Sequence, residues 1–226
     1  MSKAFFVTGT DTAVGKTLIA RALLKLAHDA GRHALGLKPV SAGCELRDDI
    51  LANDDAWYLM QESSGTPSYE DVNPVALKEA MAPHIAAERE GRTLTVDSLV
   101  EHCRPLIDSA DFTVIEGAGG WDVPLNETES MADLAAALGH PVILVVGIRL
   151  GCLNHSLLTA RAIREHGLEL AGWVANRIDP HMPVADENIA ALEERLACPL
   201  LGTVPWQEDV SIAGVAESLE SALLLS

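Results

Sequence analysis

The sequence has few cysteines, few basic residues and no long apolar run. Its four cysteines, Cys44, Cys103, Cys152 and Cys198, lie roughly fifty residues apart. None has the close spacing of a zinc or redox motif, so we expect free thiols in a reducing compartment. No apolar stretch is long enough to cross a bilayer, and no signal-peptide pattern precedes the first predicted strand. These absences predict a cytoplasmic protein that does not enter a membrane.

Basic charge is scarce as well. The 226 residues include 33 acidic and 16 basic side chains, giving a formal net charge of −17. Such a balance argues against binding to nucleic acid or to an anionic membrane surface. The chain also has no internal repeat and no linker-like stretch, and 48% of its residues are hydrophobic. We therefore expect one domain over residues 1–226, with a core that needs no disulfide or structural metal.

A glycine-bounded loop, Gly9-Thr-Asp-Thr-Ala-Val-Gly-Lys-Thr17, follows the first apolar run, and a helical pattern follows the loop. Strand, tight turn, Lys-Thr and helix are typical of a phosphate-binding loop, in which backbone N–H groups and the helix N-terminus face phosphate oxygens. Lys16 is expected to reach the β- and γ-phosphates, and the Thr17 hydroxyl to bind Mg²⁺. The two glycines are separated by five residues instead of the usual four.

Apolar strands alternate with amphipathic helices along the chain. This alternation predicts an α/β fold: a doubly wound, mostly parallel sheet with helices on both faces, like that of the P-loop NTPases. Strands are expected at residues 4–7, 33–38, 112–116, 141–148, 170–177 and 200–206, and the second of them stops at Lys38-Pro39 because proline cannot continue the ladder. Helices are expected at residues 17–30, at 54–60 with Asn53 or Asp54 as N-cap, at 96–107 and at 131–138. Further helices are expected from Asn154 as N-cap, at 185–196, and once in the last twenty residues.

Polar residues follow several predicted strands. In parallel sheets the carboxyl ends of the strands and their loops share one edge, where ligands bind. We therefore expect Lys16, Lys38, Glu116, Asn154 and Asn176 to lie near one another. Glu116 follows a β-branched strand and precedes three glycines within four residues, as a Mg²⁺-binding carboxylate beside phosphates does. The predicted helix start near Asn154 offers a site for a second anion, such as a substrate carboxylate.

Together these segments closely resemble the dethiobiotin synthetase family over nearly the whole chain. The matching motifs are FVTGTDT with VGKT in the phosphate loop, Lys38-Pro-Val, residues 53–55, Asn73-Pro, Glu116-Gly-Ala-Gly-Gly-Trp, residues 150–155, residues 172–176 and Pro205-Trp. The resemblance implies that 7,8-diaminopelargonate, CO₂ and ATP give dethiobiotin, ADP and phosphate. The implied course runs through a carbamate and a carbamic–phosphoric mixed anhydride. A homodimer with its active site near the subunit interface is also implied.

The resemblance assigns roles residue by residue. Lys16 and Lys38 are the implied catalytic residues, and Thr17, Asp55 and Glu116 the implied Mg²⁺ ligands. The implied substrate-binding residues are Thr12, Ser41, Gly151, Cys152, Leu153 and Asn154, with the last four receiving the pelargonate carboxylate. The implied ATP-binding residues are Ala13, Val14, Gly15, Lys16, Thr17, Leu18, Asp55, Glu116, Gly117, Ala118, Gly119, Asn176, Arg177, Pro205, Trp206 and Gln207, and Asn176 is expected at the adenine edge.

Two positions depart from the family pattern. Where the family has Ala-Ser-Gly after Lys-Pro-Val, this chain has Ser41-Ala42-Gly43. In extended backbone a one-residue move reverses the direction of a side chain, which puts the hydroxyl's contact with substrate in question. Asn188 stands where some relatives have a tyrosine that reaches the partner's substrate. Both departures bear on affinity for the diamine, not on the phosphoryl chemistry.

Two other functions remain open on the sequence. A nucleotide-switch ATPase of the kind that positions septa or partitions plasmids has a similar fold. Such proteins usually carry an early lysine in the phosphate loop, whereas this chain has Thr10-Asp11-Thr12 there. Their membrane-associated members end in a basic amphipathic helix, whereas no Lys or Arg follows Arg195 in this chain. The second alternative is a ring- or amide-forming ligase acting on another acid. Lys16→Ala is expected to abolish turnover and to leave the fold intact, because a loop lysine at a strand end packs little.

Overall fold

A six-stranded parallel sheet forms the centre of the computed structural model, which describes residues 2–225. Its strand order is β10-β9-β8-β1-β7-β2. The order places β1 between β7 and β8, with Phe5 opposite Val114 and Phe6 opposite Val142. The predicted parallel α/β fold is therefore confirmed. The strands are β1 (Lys3–Gly9), β2 (Ala34–Leu37), β7 (Phe112–Glu116), β8 (Val142–Gly147), β9 (Leu170–Asn176) and β10 (Leu200–Val204).

The central strands are buried along their length, as their unbroken apolar sequences predict. Every residue of β7 and β8 is buried. Because both faces of these strands are covered by helices, neither sequence alternates between apolar and polar residues. Phe6 and Trp173 pack into the cluster on one face, whereas Phe5 and Phe112 pack into the cluster on the other.

Ten helices lie within the described residues, and five of them have bounds within two residues of a predicted segment. The segments 131–138 and 185–196 match the structure residue for residue, and the first of these begins at a Ser130–Asp133 capping box. The helices are α1 (Lys16–Asp29), α2 (Asp54–Glu62), α3 (Tyr69–Val72), α4 (Pro83–Arg89), α5 (Val96–Asp108), α6 (Met131–Leu138), α7 (Cys152–Glu165), α8 (Ala185–Leu196), α9 (Ile212–Glu217) and α10 (Ser221–Leu225).

The long connection between the neighbouring strands β2 and β7 contains four further short strands. Strands β3 (Val40–Ala42) and β6 (Val75–Leu77) form a parallel pair, whereas β4 (Glu45–Arg47) and β5 (Ile50–Ala52) form an antiparallel hairpin. The predicted stop of this strand at Lys38-Pro39 is confirmed, because the main-sheet strand ends at Leu37 and a separate pairing with β6 starts at Val40. Proline has no N–H with which to continue the ladder.

Two helix predictions need correction. The helix after β8 begins at Cys152 with Gly151 as its N-cap, so Asn154 lies in the first turn and caps nothing. The left-handed backbone of Gly151 (φ 94°) starts this helix without a side-chain cap. The search for a polar capping residue therefore pointed to Asn154, which lies further along the chain. The C-terminal segment forms two short helices, α9 and α10, where one was expected. None of the helices in residues 2–225 has the length and apolarity to cross a membrane.

Candidate active site

The phosphate loop lies between the end of β1 and the start of α1. Ala13 (φ 58°) and Gly15 (φ 94°) both have left-handed backbone, which turns successive peptide groups toward one side of the loop. Only glycine fits at position 15, because a Cβ there would come 2.2 Å from the Nδ2 atom of Asn176. Asn176 Nδ2 donates to Val14 O over 2.8 Å and so ties the loop to the end of β9. The loop is therefore held in shape before any nucleotide binds.

Lys16 is buried in this loop, with 7% of its surface exposed. Its Nζ atom donates to Asp11 O over 3.1 Å. Burial, together with the nearby Lys38 ammonium, lowers the pKa of Lys16 to about 8, although three carboxylates oppose the shift. The loop thus holds a cation that is poorly compensated in the ligand-free protein, and an incoming polyphosphate would supply the missing negative charge.

Lys38 meets two carboxylates at the carboxyl ends of β2 and β7. Its Nζ atom donates to Glu116 Oε1 over 2.6 Å, to Gly117 O over 3.1 Å and to Asp55 Oδ2 over 3.4 Å. Burial alone would lower the pKa of Lys38, but the Glu116 and Asp55 carboxylates reverse the effect and raise it above its usual value. Lys38 is therefore a permanent cation, next to the more readily deprotonated Lys16.

The same cluster contains oxygen donors of the kind that Mg²⁺ prefers. Thr17 Oγ1 donates to Glu116 Oε1 over 2.9 Å, and Asp55 reaches the cluster through Lys38. Glu116 is fully buried, and its Oε2 atom has no hydrogen-bond partner. A buried carboxylate oxygen left unpaired needs a ligand. In the described part of the chain no group of three or more His, Cys, Asp or Glu residues is placed to bind a metal. Two carboxylates and a hydroxyl nevertheless fit Mg²⁺, which usually keeps several waters and binds substrate phosphates.

A cavity of about 620 Å³ adjoins this cluster. Its lining combines polar residues, Lys38 and Asp55 among them, with small and apolar residues from the β2–β7 connection and from the glycine segment after β7. Such a cavity fits a short aliphatic chain that carries polar groups. The lining residues are Asp11, Thr12, Lys38, Ser41, Ala42, Asn53, Asp55, Ala80, Met81, Ala82, Pro83, Ala118, Gly119, Gly120 and Val123.

The predicted substrate residues are divided between two places. Thr12 lines the cavity and is exposed. Ser41 also lines it, but its hydroxyl donates to Asn73 Oδ1 over 2.7 Å on the buried side. That hydroxyl is committed to the protein, as the shift by one residue suggested. Gly151, Cys152, Leu153 and Asn154 form the start of α7 and are not among the residues that line the cavity.

The residues predicted to surround adenine lie at the ends of β9 and β10. Asn176 is buried, and its amide donor is already used on the phosphate loop. Arg177 forms an ion pair with Asp186, and its backbone N–H donates to Val204 O over 3.0 Å. Pro205, Trp206 and Gln207 follow β10 and are exposed. They form an open surface beside the loop; Leu18, by contrast, packs against the core under α1.

Sequence reasoning missed several residues that shape this site. Arg149, in the loop after β8, forms an ion pair with Asp11 of the phosphate loop, a contact that spans 138 residues and leaves no local signal. Asn73 was noticed only as part of a motif, yet its side chain contacts the backbone of Lys38. Asn188, the second departure, donates its amide to Val184 O within the start of α8.

Comparison with known proteins gives a consistent result. The model of a family described as an AAA domain matches residues 3–213. A protein of Cellvibrio japonicus named ATP-dependent dethiobiotin synthetase BioD is 53% identical over 99% of this chain and 98% of its own. A Chromohalobacter salexigens protein of the same name is 55% identical over 89% of both chains.

Among solved structures, the septum site-determining protein MinD of Pyrococcus horikoshii, described as complexed with Mg-ADP, matches with a TM-score of 0.58. The match covers 100% of this chain and 89% of that one at 19% identity. A ParA family ATPase of Chlorobium tepidum matches with a TM-score of 0.59 at 12% identity, over 100% and 93% of the two chains. These likenesses show the nucleotide-binding fold alone.

Proposed function

This chain belongs to the ATP-dependent dethiobiotin synthetase family, and on that premise we propose how its residues divide the work of the reaction. The reaction is the ATP-dependent ring closure of 7,8-diaminopelargonate with CO₂ to give dethiobiotin, a step of biotin biosynthesis. The observation that carries this function in the structure is the cavity of about 620 Å³ that shares Lys38 and Asp55 with the cluster beside the phosphate loop. A ligase needs its acceptor next to the γ-phosphate, and a single shared wall provides that arrangement.

The phosphate loop and the glycine segment after β7 bind the triphosphate. Backbone N–H groups of residues 13–17 face one side of the loop, and the N-terminus of α1 adds its partial positive charge. Lys16 neutralises the γ-phosphate, and triphosphate binding raises its pKa back toward the usual value, because the phosphates supply the charge that burial withholds. Gly117, Ala118 and Gly119 line the opposite side. The open surface of Pro205, Trp206 and Gln207 receives the adenine.

Thr17, Asp55 and Glu116 hold the magnesium ion of the nucleotide. The unpaired Oε2 atom of Glu116 and the 2.9 Å contact between Thr17 Oγ1 and Glu116 Oε1 support this assignment. Magnesium bound there would neutralise charge on the β- and γ-phosphates. Lys38 pairs with the same two carboxylates and also lines the cavity, so it would stand between the metal ligands and the acceptor.

Lys38 serves the acceptor. One amine of the diamine adds to CO₂ and loses a proton, which gives a carbamate anion in the cavity. A carbamate oxygen attacks the γ-phosphorus, the bond to ADP breaks, and a mixed anhydride forms. The second amine then attacks the carbamate carbon, closes the five-membered ring and expels phosphate. The permanent positive charge of Lys38 stabilises the carbamate and the charge that develops on the transferred phosphoryl group.

We further propose that the enzyme works as a cytoplasmic homodimer. Leu150, beside the start of α7, is 94% exposed and is an apolar side chain that a subunit contact would cover. Four free cysteines support a reducing compartment. The start of α7, residues 151–154, stays a prediction as the carboxylate site, because it lies outside the cavity that contains Lys38.

The test is ADP release by the purified protein with ATP, Mg²⁺ and bicarbonate, with and without 7,8-diaminopelargonate, followed by mass analysis of the product. We expect release that depends on the diamine and a product that has gained a carbonyl and lost two hydrogens relative to the diamine. Release that ignores the diamine would instead favour a nucleotide switch. Release stimulated by a different acid or diamine, but not by this one, would favour another ligase.

A further inference from the structure

Asn73, the residue that ends α3, is a buried amide with every hydrogen-bonding position occupied. It is 3% exposed. Its Nδ2 atom donates to Lys38 O over 2.5 Å and to Val75 O over 3.3 Å. Its Oδ1 atom accepts from Ser41 Oγ over 2.7 Å and from the Tyr69 hydroxyl over 2.9 Å. A fully satisfied buried amide fixes the relative positions of the four groups that it joins.

One arm of this network holds the backbone of Lys38. Proline at position 39 stops the β2 ladder, so both backbone polar groups of Lys38 need partners outside the sheet. Lys38 N donates to Val72 O over 2.8 Å, and Lys38 O accepts from Asn73 Nδ2. Two consecutive residues at the end of α3 therefore hold Lys38 on both sides. With its backbone fixed in this way, its ammonium group lies 2.6 Å from Glu116 Oε1.

The other arm reaches Asp55. The Tyr69 hydroxyl, which donates to Asn73, accepts from Asn53 N over 2.8 Å. Asn53 in turn caps α2, since its Oδ1 atom accepts from Asp55 N over 3.0 Å. Burial raises the pKa of Tyr69 to about 12, so this hydroxyl keeps its proton over the pH range in which the enzyme works. The chain of bonds thus runs from Lys38 through Asn73, Tyr69 and Asn53 to Asp55.

We propose that Asn73 is a positioning residue, which with Tyr69 sets the distance between the Lys38 ammonium and the Asp55 carboxylate across the wall of the substrate cavity. It touches neither ATP nor the diamine. The inference rests on the proposed function, in which Lys38 and Asp55 serve the transferred phosphoryl group. A displacement of about 1 Å at such groups can lower a rate by about 100-fold.

The contact between Asn73 and Tyr69 can be tested with one atom removed. Tyr69→Phe keeps the ring and its packing and removes the hydroxyl that joins Asn73 to Asn53. We expect kcat to fall by about 10-fold, because one of the two arms remains, and we expect Asn73→Ala, which cuts both, to lower kcat by about 100-fold. The Kd for ATP without Mg²⁺, measured by fluorescence titration, is expected to stay within about twofold of the wild type, because the phosphate loop is not part of the network.

The matched control is Tyr58→Phe, the same change at the other tyrosine of the chain. Tyr58 lies on α2, and the Arg21 guanidinium lies 4.4 Å from the centroid of its ring. We expect the Tyr58→Phe variant to have the kcat of the wild type. All rates are taken per mole of folded protein, well below the unfolding temperature of each variant. Asn73→Ala can fail to fold, and in that case Tyr69→Phe decides alone.

A Tyr69→Phe variant with a lowered unfolding temperature but wild-type kcat would overturn the inference and leave a purely structural role. Equal losses in kcat and in the affinity for ATP without Mg²⁺ would also overturn it, because they would mean that the phosphate loop itself is disturbed. Failure of the proposed function is distinguishable from both outcomes, since the wild-type protein would then show no ADP release that depends on the diamine.

Discussion

Replacement of Lys16 by methionine is expected to abolish activity and to stabilise the ligand-free fold. The sequence suggested that the Lys16 side chain packs little and can therefore be truncated. That premise is wrong, because Lys16 is only 7% exposed. The fold survives the change on different grounds. The pKa of Lys16 falls from 10.5 to about 8, chiefly through burial, so the charged form is disfavoured in the folded state. Methionine keeps the length and apolar stem of the side chain without the charge.

The magnitude follows from that pKa. A lowering of this size corresponds to about 3 kcal/mol of destabilisation by the charged group. Loss of the hydrogen bond from Lys16 Nζ to Asp11 O takes back about 1 kcal/mol. We therefore expect the free energy of unfolding of Lys16→Met to exceed that of the wild type by about 2 kcal/mol near neutral pH. For a chain of this length the corresponding rise in unfolding temperature is about 4–8 °C.

The dependence on pH gives the sharper test. The pKa of Lys16 is lower in the folded than in the unfolded state, so between about 8 and 10.5 the unfolded wild type binds more protons. Wild-type stability consequently rises with pH across this window relative to the variant, and the advantage of the variant disappears above it. Denaturant unfolding without nucleotide, at neutral pH and again near the upper limit, measures both values.

Lys25→Met is the matched control. Lys25 lies on the same helix and pairs with Asp29 at 2.9 Å, an exposed i,i+4 contact worth about 0.3–0.5 kcal/mol. Its removal is expected to destabilise slightly and to leave ATP binding and turnover unchanged. A Lys16→Met protein that is less stable than the wild type, or one whose gain is the same at both pH values, would refute the electrostatic reasoning.

Three further substitutions have definite outcomes. Gly15→Ala should abolish ATP binding in calorimetry, because its Cβ would lie 2.2 Å from the Asn176 amide nitrogen. Gly31→Ala is the control: its backbone is also left-handed but nothing lies within contact distance, so it should cost only about 1 kcal/mol of stability. Glu116→Gln removes the charge of the closest partner of buried Lys38. We therefore expect kcat to fall at least about 100-fold and the free energy of unfolding to drop by about 3 kcal/mol. An active, equally stable variant would contradict this. Ala197→Gly removes the strain of a left-handed alanine (φ 50°) at the end of α8. In denaturant unfolding it should raise the free energy of unfolding by about 1 kcal/mol, and kcat should stay unchanged.

The sequence predicts best where structure is decided locally. The bounds of α6 and α8 follow from apolar periodicity, and Asn53 was one of two expected caps for α2. The hairpin of β4 and β5 and the pair of β3 and β6 were missed, because three-residue strands carry no periodic signal and exist only through pairing with distant segments. The start of α7 was misplaced because a left-handed glycine caps it without a side chain.

The site divides in the same way. The phosphate loop and Glu116 are visible in the sequence because each is set by a short run of residues with a fixed chemical purpose. The contacts that orient them are not visible: the Arg149–Asp11 pair spans 138 residues, and the bond from Asn73 to Lys38 spans 35. Each such contact depends on which strands are neighbours. The organisation as one domain and the roles assigned to individual residues stay predictions.

The substrate side of the site comes largely from one connection. Between β2 and β7, residues 38–111 contribute Ser41, Asn53, Asp55 and the segment 80–83 to the cavity, together with the Asn73 network behind it. The nucleotide side comes from the ends of the central strands, which make up the frame common to this chain and the MinD and ParA structures. A likeness of the frame cannot by itself specify the reaction. The β2–β7 connection, which contributes Lys38 and Asp55 to the cavity, is therefore where we expect reaction specificity to be set.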